Sequence, residues 1–232
     1  MTVKVDLWLW ALDVDDGERE RLAAFLSDDE TARAARFVFE RDRERFVVGR
    51  GRLREILARK VSRAPAELRF SYSENGKPAL QGFGDAQFNL SHSEGVAVLA
   101  LSQAFELGVD VEFVRPLKED VAERFFSRRE IDQLASLPAD DQLAGFYRCW
   151  TRKEAIVKAI GDGLSRPLDS FDVSVGADVP AVVERLEGEA DVPRAWRLAH
   201  FVPAAGYIGA VACRTGGAPI VLTRHDIGAL KS

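Results

Sequence analysis

Apolar and polar residues alternate through residues 3–12 (VKVDLWLWAL), the period-two pattern of a strand with one buried face. Residues 17–36 change to helical periodicity, with a break near Ser27, where Ser27, Asp28, Asp29 and Glu30 form a helix-start signal. A long helix is predicted over 40–61: Phe46, Leu53, Ile56 and Leu57 recur at helical spacing, and Arg41, Arg43, Arg45, Arg50, Arg52 and Arg54 crowd the same stretch. Short strands follow at 68–73, 86–90, 95–102 and 106–113. Ser127-Arg128-Arg129-Glu130 is a capping box that opens a helix over 128–136. A second long helix spans 140–161, closed by Gly161 and Gly163, and strands return at 170–175, 181–187, 195–202, 206–213 and 219–223.

The order of elements has an internal echo. Each half carries a long helix and several strands, and HSEGVAVLALS in the first half resembles AAGYIGAVACR in the second. This predicts an α+β fold of two similar subdomains, 1–105 and 106–232, with an active site between them. A chain of 232 residues, 47% apolar and 30% charged, has the balance of a soluble globular protein. The longest purely apolar run, Val96 to Leu101, is far short of the roughly 20 residues of a membrane helix. The N-terminus lacks a signal-peptide cleavage pattern, so a cytoplasmic protein with no membrane partner is expected. Two cysteines and three histidines exclude a disulfide framework and a His-rich metal site, and the net charge of −5 argues against a nucleic-acid partner.

Four stretches carry chemistry. Asn75-Gly76-Lys77-Pro78 reads as a β-turn that could also aim Lys77 at a phosphate. In Phe88-Asn89-Leu90-Ser91-His92-Ser93 a strand runs into a polar cluster whose hydroxyl and imidazole donors suit a phosphate oxygen, or form a loop with a satisfied histidine. In Gly108-Val109-Asp110-Val111-Glu112, Asp110 and Glu112 share one face of a strand and Val109 and Val111 the other. Two adjacent carboxylates repel unless a cation lies between them, and oxygen-only ligation fits Mg²⁺; a solvated strand edge is the plainer alternative. On Trp150-Thr151-Arg152-Lys153-Glu154-Ala155-Ile156-Val157-Lys158, Glu154 and Lys158 stand at i,i+4. They read either as a surface ion pair or, because Trp150 and Val157 share the stripe of Glu154, as a half-buried carboxylate that needs a metal or a lysine. The inventory suits a Mg²⁺-assisted reaction at a phosphate; the absence of GxxxxGK[ST] excludes a P-loop NTPase.

The ordered set NGKP (75–78), FNLSHS (88–93), GVDVE (108–112), RFFS (124–127), WTRKEAIVK (150–158) and LSRPLDSF (164–171) resembles the 4′-phosphopantetheinyl transferases of the large, Sfp type. The resemblance implies a holo-[acyl-carrier-protein] synthase type of activity: transfer of phosphopantetheine from coenzyme A to a serine of an apo acyl, peptidyl or aryl carrier protein, leaving adenosine 3′,5′-bisphosphate. It implies a monomeric pseudodimer, each half a long helix on a small, mainly antiparallel sheet, with coenzyme A and Mg²⁺ in the cleft. Residue by residue, Asp110, Glu112 and Glu154 match the metal-binding carboxylates, and Lys158 matches the lysine near the reacting phosphate. Lys77, Ser91 and His92 match residues on the coenzyme A phosphates, Gly76 and Pro78 backbone around the adenine, and Arg33 and Arg45 basic positions near the 3′-phosphate. One departure stands out: Glu30 occupies a place, three positions before Arg33, where several relatives are basic.

The carrier serine is a poor nucleophile at neutral pH, which makes Glu154 the candidate base, directly or through a metal-bound water, and Lys158 the candidate stabiliser of the transferring phosphate. The stretch from Arg124 to Arg129, with Phe125 and Phe126 among three arginines, is the expected carrier-docking surface. A non-catalytic coenzyme A-binding module and a Mg²⁺-dependent phosphohydrolase are the competing readings.

Overall fold

The structure is a computed structural model that describes residues 2–82, 84–103, 105–117, 121–163, 166–188 and 191–228. The first half contains β1 (Val3–Ala11), α1 (Asp16–Ala23), α2 (Asp28–Ala34), α3 (Glu40–Val61), β2 (Phe70–Tyr72), β3 (Pro78–Leu80), β4 (Ala86–Ser93) and β5 (Val96–Gln103). Then come β6 (Leu107–Phe113), α4 (Val121–Phe125), α5 (Arg128–Ser136), α6 (Gln142–Ile160), β7 (Phe171–Val173), β8 (Val183–Leu186), α7 (Val192–Ala195), β9 (Trp196–Phe201), β10 (Tyr207–Arg214) and β11 (Ile220–Ile227).

Alternation along the strands decides the layers. Val3, Val5, Leu7 and Leu9 of β1 share a core with Val96 and Val98 of β5, Val109 and Val111 of β6, and Val211 of β10. The opposite faces take the helices: Trp10, Phe88, Leu99 and Leu101 pack on Leu53, Ile56 and Leu57 of α3. Ile156 and Ala159 of α6 cover Ala210 and Ala212 of β10. One sheet has the order β11-β1-β5-β4 and the other β6-β10-β9, with β2–β3 and β7–β8 as separate hairpins. The inner strands β5 and β10 are thus buried on both faces, which is why they read as near-continuous apolar runs, whereas β1 keeps its alternation.

Several expectations change. β11 runs parallel to β1 along Val3↔Ile220 to Trp10↔Ile227, so it extends past 223 and crosses the division at 105/106 into the first sheet. The two halves therefore share a sheet, and that sheet is mixed. β4 continues through Ser93 rather than ending at 90, because its polar tail pairs with β5 at His92↔Ala97 and Ser93↔Val96. β3, α4 and α7 are too short to show a period in the sequence.

Two contacts position α6, one against β6 and one against α5 and β7. A Cβ on Gly108 would lie 2.1 Å from the Ala155 carbonyl and 2.4 Å from the Ala159 nitrogen, so strand and helix touch backbone to backbone there. The fully buried Lys153 pairs with fully buried Glu130 at 2.8 Å. Its ammonium also donates to the carbonyls of Leu168 at 2.7 Å and Phe171 at 2.5 Å. Glu130 completes the capping box with the Ser127 N–H at 2.9 Å and accepts from Val173 N–H at 2.8 Å. With every polar atom partnered, this pair fixes the rotation of α6, and the neighbouring Glu154 turns to the cleft.

Gly108→Ala is expected to push β6 off α6 and cost about 1–3 kcal/mol or more by overpacking. Urea denaturation measures it; an unchanged midpoint would mean that the contact relaxes freely.

Candidate active site

β4 and β6 are the edge strands of their sheets, and they meet without a backbone ladder. Side chains of β4 supply the acceptors instead. Asn89 Oδ1 accepts from Val109 N–H at 2.9 Å, Ser91 Oγ from Val111 N–H at 3.4 Å and Ser93 Oγ from Phe113 N–H at 3.1 Å. Asp110 and Glu112 then face the same hydroxyls: Ser91 donates to Asp110 Oδ1 at 3.0 Å and Ser93 to Glu112 Oε2 at 2.7 Å. Lys158 closes the group from α6, with Nζ 2.5 Å from Asp110 Oδ1 and 3.1 Å from Ser91 Oγ. The expected Glu154–Lys158 pair is thus replaced by Asp110–Lys158. Among the described residues Glu154 makes no hydrogen bond or ion pair.

The electrostatics are unbalanced. Burial, opposed by Lys158 and reinforced by Asp110 and Glu112, raises the pKa of Glu154 above the usual carboxylate range. Burial also raises that of Glu112, against the Ser93 hydrogen bond and with the help of Asp110. Asp110 is 3% exposed, and its Oδ2 is buried without a partner among the described residues. Oxygen donors that are buried, mutually repelling and partly unpartnered fit a hard dication. No three metal-ligating side chains among the described residues stand already gathered round one point, and Asp110 is engaged by Lys158.

A cleft of about 520 Å³ gathers the motifs. It is lined by Gly76, Lys77 and Pro78, by Trp150, Glu154 and Lys158, and by Phe125 and Arg166. Leu164 and Ser165 of LSRPLDSF lie outside the described residues. Glu112 instead lines an adjoining hollow of about 450 Å³ with Arg115 and Tyr147, and Trp150 borders both spaces.

The expected phosphate-binding residues divide between two faces of β4. Lys77 Nζ donates to the carbonyls of Leu107 at 3.3 Å and Ala159 at 2.7 Å, and burial lowers its pKa. Asn75 joins it with a bond from Nδ2 to the Gly161 carbonyl at 2.9 Å, and Gly76 takes a φ of +81° that its lack of Cβ permits. The turn therefore clasps the C-terminus of α6, where a cation is favoured. Ser91 is buried toward Asp110, whereas the adjacent His92 points the opposite way, into a hollow of about 290 Å³ with Arg45 and Phe46. Desolvation, Lys158 and Arg45 hold the His92 imidazole below its usual pKa. Arg45 is held bidentately by Asp13 at 2.8 and 2.9 Å, and Arg33 lies 5.3 Å over the Phe46 ring. Glu30 is a structural residue: 3% exposed, it bonds Arg50 and, at 2.6 Å, Arg54, and caps α2 through Ser27 N–H at 3.1 Å. In the RFFS stretch Phe126 is buried and Phe125 stands edge-on to Trp150 at 5.5 Å. Arg128 and Arg129 are exposed but carry acidic partners, Asp132 at 3.2 Å and Glu184 at 2.9 Å.

Two family profiles match the chain: "4'-phosphopantetheinyl transferase superfamily" over residues 106–212 and "4'-phosphopantetheinyl transferase, N-terminal" over residues 15–104. The 4′-phosphopantetheinyl transferase HetI of Nostoc sp. is 39% identical over 214 residues, covering 90% of this chain and 87% of that protein. Sfp of Bacillus subtilis is 35% identical over 167 residues, covering 72% of this chain and 74% of that protein. The chain belongs to the 4′-phosphopantetheinyl transferase family. Its relatives are of the Sfp type, which corrects the expectation of a holo-[acyl-carrier-protein] synthase type. No helix of the described residues of this transferase is long and apolar enough to cross a membrane.

Some residues of the transferase site had no assigned role in the sequence. Asn89 and Ser93 complete the ladder that Ser91 belongs to; their signal is polar residues at i, i+2 and i+4 on one face of a strand. Asn75 sits in a turn sequence, yet its side chain spans to the Gly161 carbonyl at the end of α6.

Lys77→Met should leave the Leu107 and Ala159 carbonyls short of a donor, at a cost of about 1–3 kcal/mol per unsatisfied group, visible as a lowered Tm. A variant with unchanged Tm and a raised KM for coenzyme A would assign Lys77 to the ligand instead.

Proposed function

We propose that this chain transfers the 4′-phosphopantetheine group of coenzyme A to a serine hydroxyl of an apo carrier protein, releasing adenosine 3′,5′-bisphosphate. The observation that carries the reading is the convergence on one cleft of Lys158, Glu154 and the NGKP turn, with Asp110 bonded to Lys158 at its edge. Asp110, Glu112 and Glu154 would hold Mg²⁺, which when bound offsets the negative charge of the pyrophosphate. Glu154, whose carboxylate makes no hydrogen bond or ion pair among the described residues and whose pKa burial raises, takes the proton of the serine hydroxyl. Lys158 lies where it can move from Asp110 to a phosphate oxygen and stabilise the charge that develops there. Gly76 and Pro78 offer a wall for the adenine, and Lys77 and Ser91 a polar floor beneath the phosphates. Arg45 and His92 line one hollow beside Phe46 and Arg33 a second one on the same ring, and these groups are suited to the 3′-phosphate. We further infer a duplicated ancestry, because β5 and β10, the strands of the sequence echo, both lie inside their sheets.

Incubation with coenzyme A, Mg²⁺ and an apo carrier protein should add one phosphopantetheine to the carrier, read by intact mass. No gain despite tight coenzyme A binding selects the non-catalytic module; bisphosphate release without a carrier selects the phosphohydrolase.

Glu154→Gln is expected to lower kcat by about 10²–10⁴ with coenzyme A binding retained. A base acts when deprotonated, so the wild-type rate should fall as pH drops through one ionisation. A flat profile with a fully active Gln variant would remove Glu154 from the mechanism.

A further inference from the structure

The three rungs between β4 and β6 are not equivalent. A rung needs an acceptor for a β6 N–H, and the Asn89 amide oxygen suffices opposite Val109. At the other two rungs the acceptor is a serine hydroxyl, which has a proton left to give. Those two rungs are the ones beside carboxylates: Ser91 gives its proton to Asp110 Oδ1 and Ser93 to Glu112 Oε2. Accepting from the Phe113 N–H at 3.1 Å fixes the Ser93 oxygen to the β6 backbone, so its proton is aimed by the same strand that carries Glu112. Ser91 is additionally bound to Lys158, whereas Ser93 has Glu112 as its single side-chain partner among the described residues.

We propose that Ser93 is a positioning residue: its backbone-anchored hydroxyl holds one oxygen of Glu112 and leaves the other turned to the metal. The inference rests on the magnesium-dependent transfer proposed above. It extends to an uncharged residue the familiar rule that a ligating carboxylate is itself hydrogen-bonded, and that loss of such a partner costs 10–100-fold in metal affinity. Without the hydroxyl, Glu112 can rotate away from the half-buried wall and spend part of its binding energy on becoming ordered again.

The test compares Ser93→Ala and Ser93→Thr. Mn²⁺ binding to the coenzyme A-loaded enzyme is followed by electron paramagnetic resonance, with Tm recorded for each variant. Ser93→Ala should bind Mn²⁺ about 10-fold or more weakly and need correspondingly more Mg²⁺ for half-maximal rate. Its KM for the carrier at saturating Mg²⁺ should stay unchanged. Ser93→Thr, which keeps the hydroxyl, should return Mn²⁺ affinity to within about 2-fold of wild type. A general structural effect is separated by a double-mutant cycle: in a Glu112→Ala background, adding Ser93→Ala should change Mn²⁺ affinity no further. Wild-type affinity in Ser93→Ala, or an undiminished Ser93 effect when Glu112 is absent, overturns the proposal while carrier modification by the wild type still stands. A wild type that modifies the carrier yet binds no Mn²⁺ overturns the magnesium reading and this proposal together.

Discussion

The site depends on how two sheet edges are joined. An edge strand exposes a row of N–H and C=O groups that must find partners. Here the amides of Val109, Val111 and Phe113 are met by Asn89, Ser91 and Ser93, so β4 and β6 run side by side at side-chain distance rather than backbone distance. That spacing leaves room for the Asp110 and Glu112 side chains and for Lys158 reaching in from α6. A backbone ladder at the same seam would have drawn the strands together and turned those side chains away from one another. The same bonds thus hold the halves together and form the floor of the site.

The other side is held by contacts that leave α6 little freedom. Gly108 allows the strand to touch the helix, the Glu130–Lys153 pair fixes its rotation, and Lys77 and Asn75 clasp its C-terminal carbonyls. Each uses a residue type with a specific capacity: no Cβ, a buried charge with all partners supplied, a long cation at a helix end. Together they place Glu154 and Lys158 one turn apart at the cleft, with Trp150 as the partition between its two spaces. The unbalanced carboxylates there are tolerated because the rest of the seam is fully bonded. The raised pKa values of Glu112 and Glu154 reflect burial first and repulsion from neighbouring carboxylates second.

Much of this protein was determined by its sequence alone. The long helices, most strands and the layer each faces follow from period 3.6 and period 2, which are local properties of the chain. The chemistry-bearing residues were legible for the same reason: Asp110 and Glu112 on one face of a strand, Glu154 and Lys158 on one face of a helix. Tertiary structure alone decided which of these groups meet. Lys158 could pair with Glu154 four residues away or with Asp110 on another element, and the backbone contact at Gly108 chooses Asp110. Ser91 and His92, neighbours in one motif, serve opposite faces, because successive strand residues alternate once the polar tail of β4 is paired as a strand. β11 joins β1 from the far end of the chain, a pairing set by the free edge of the first sheet and not by any local pattern. The hydroxyl rungs were visible as letters, but a serine becomes a rung only when a second strand, twenty residues on, brings its N–H within reach.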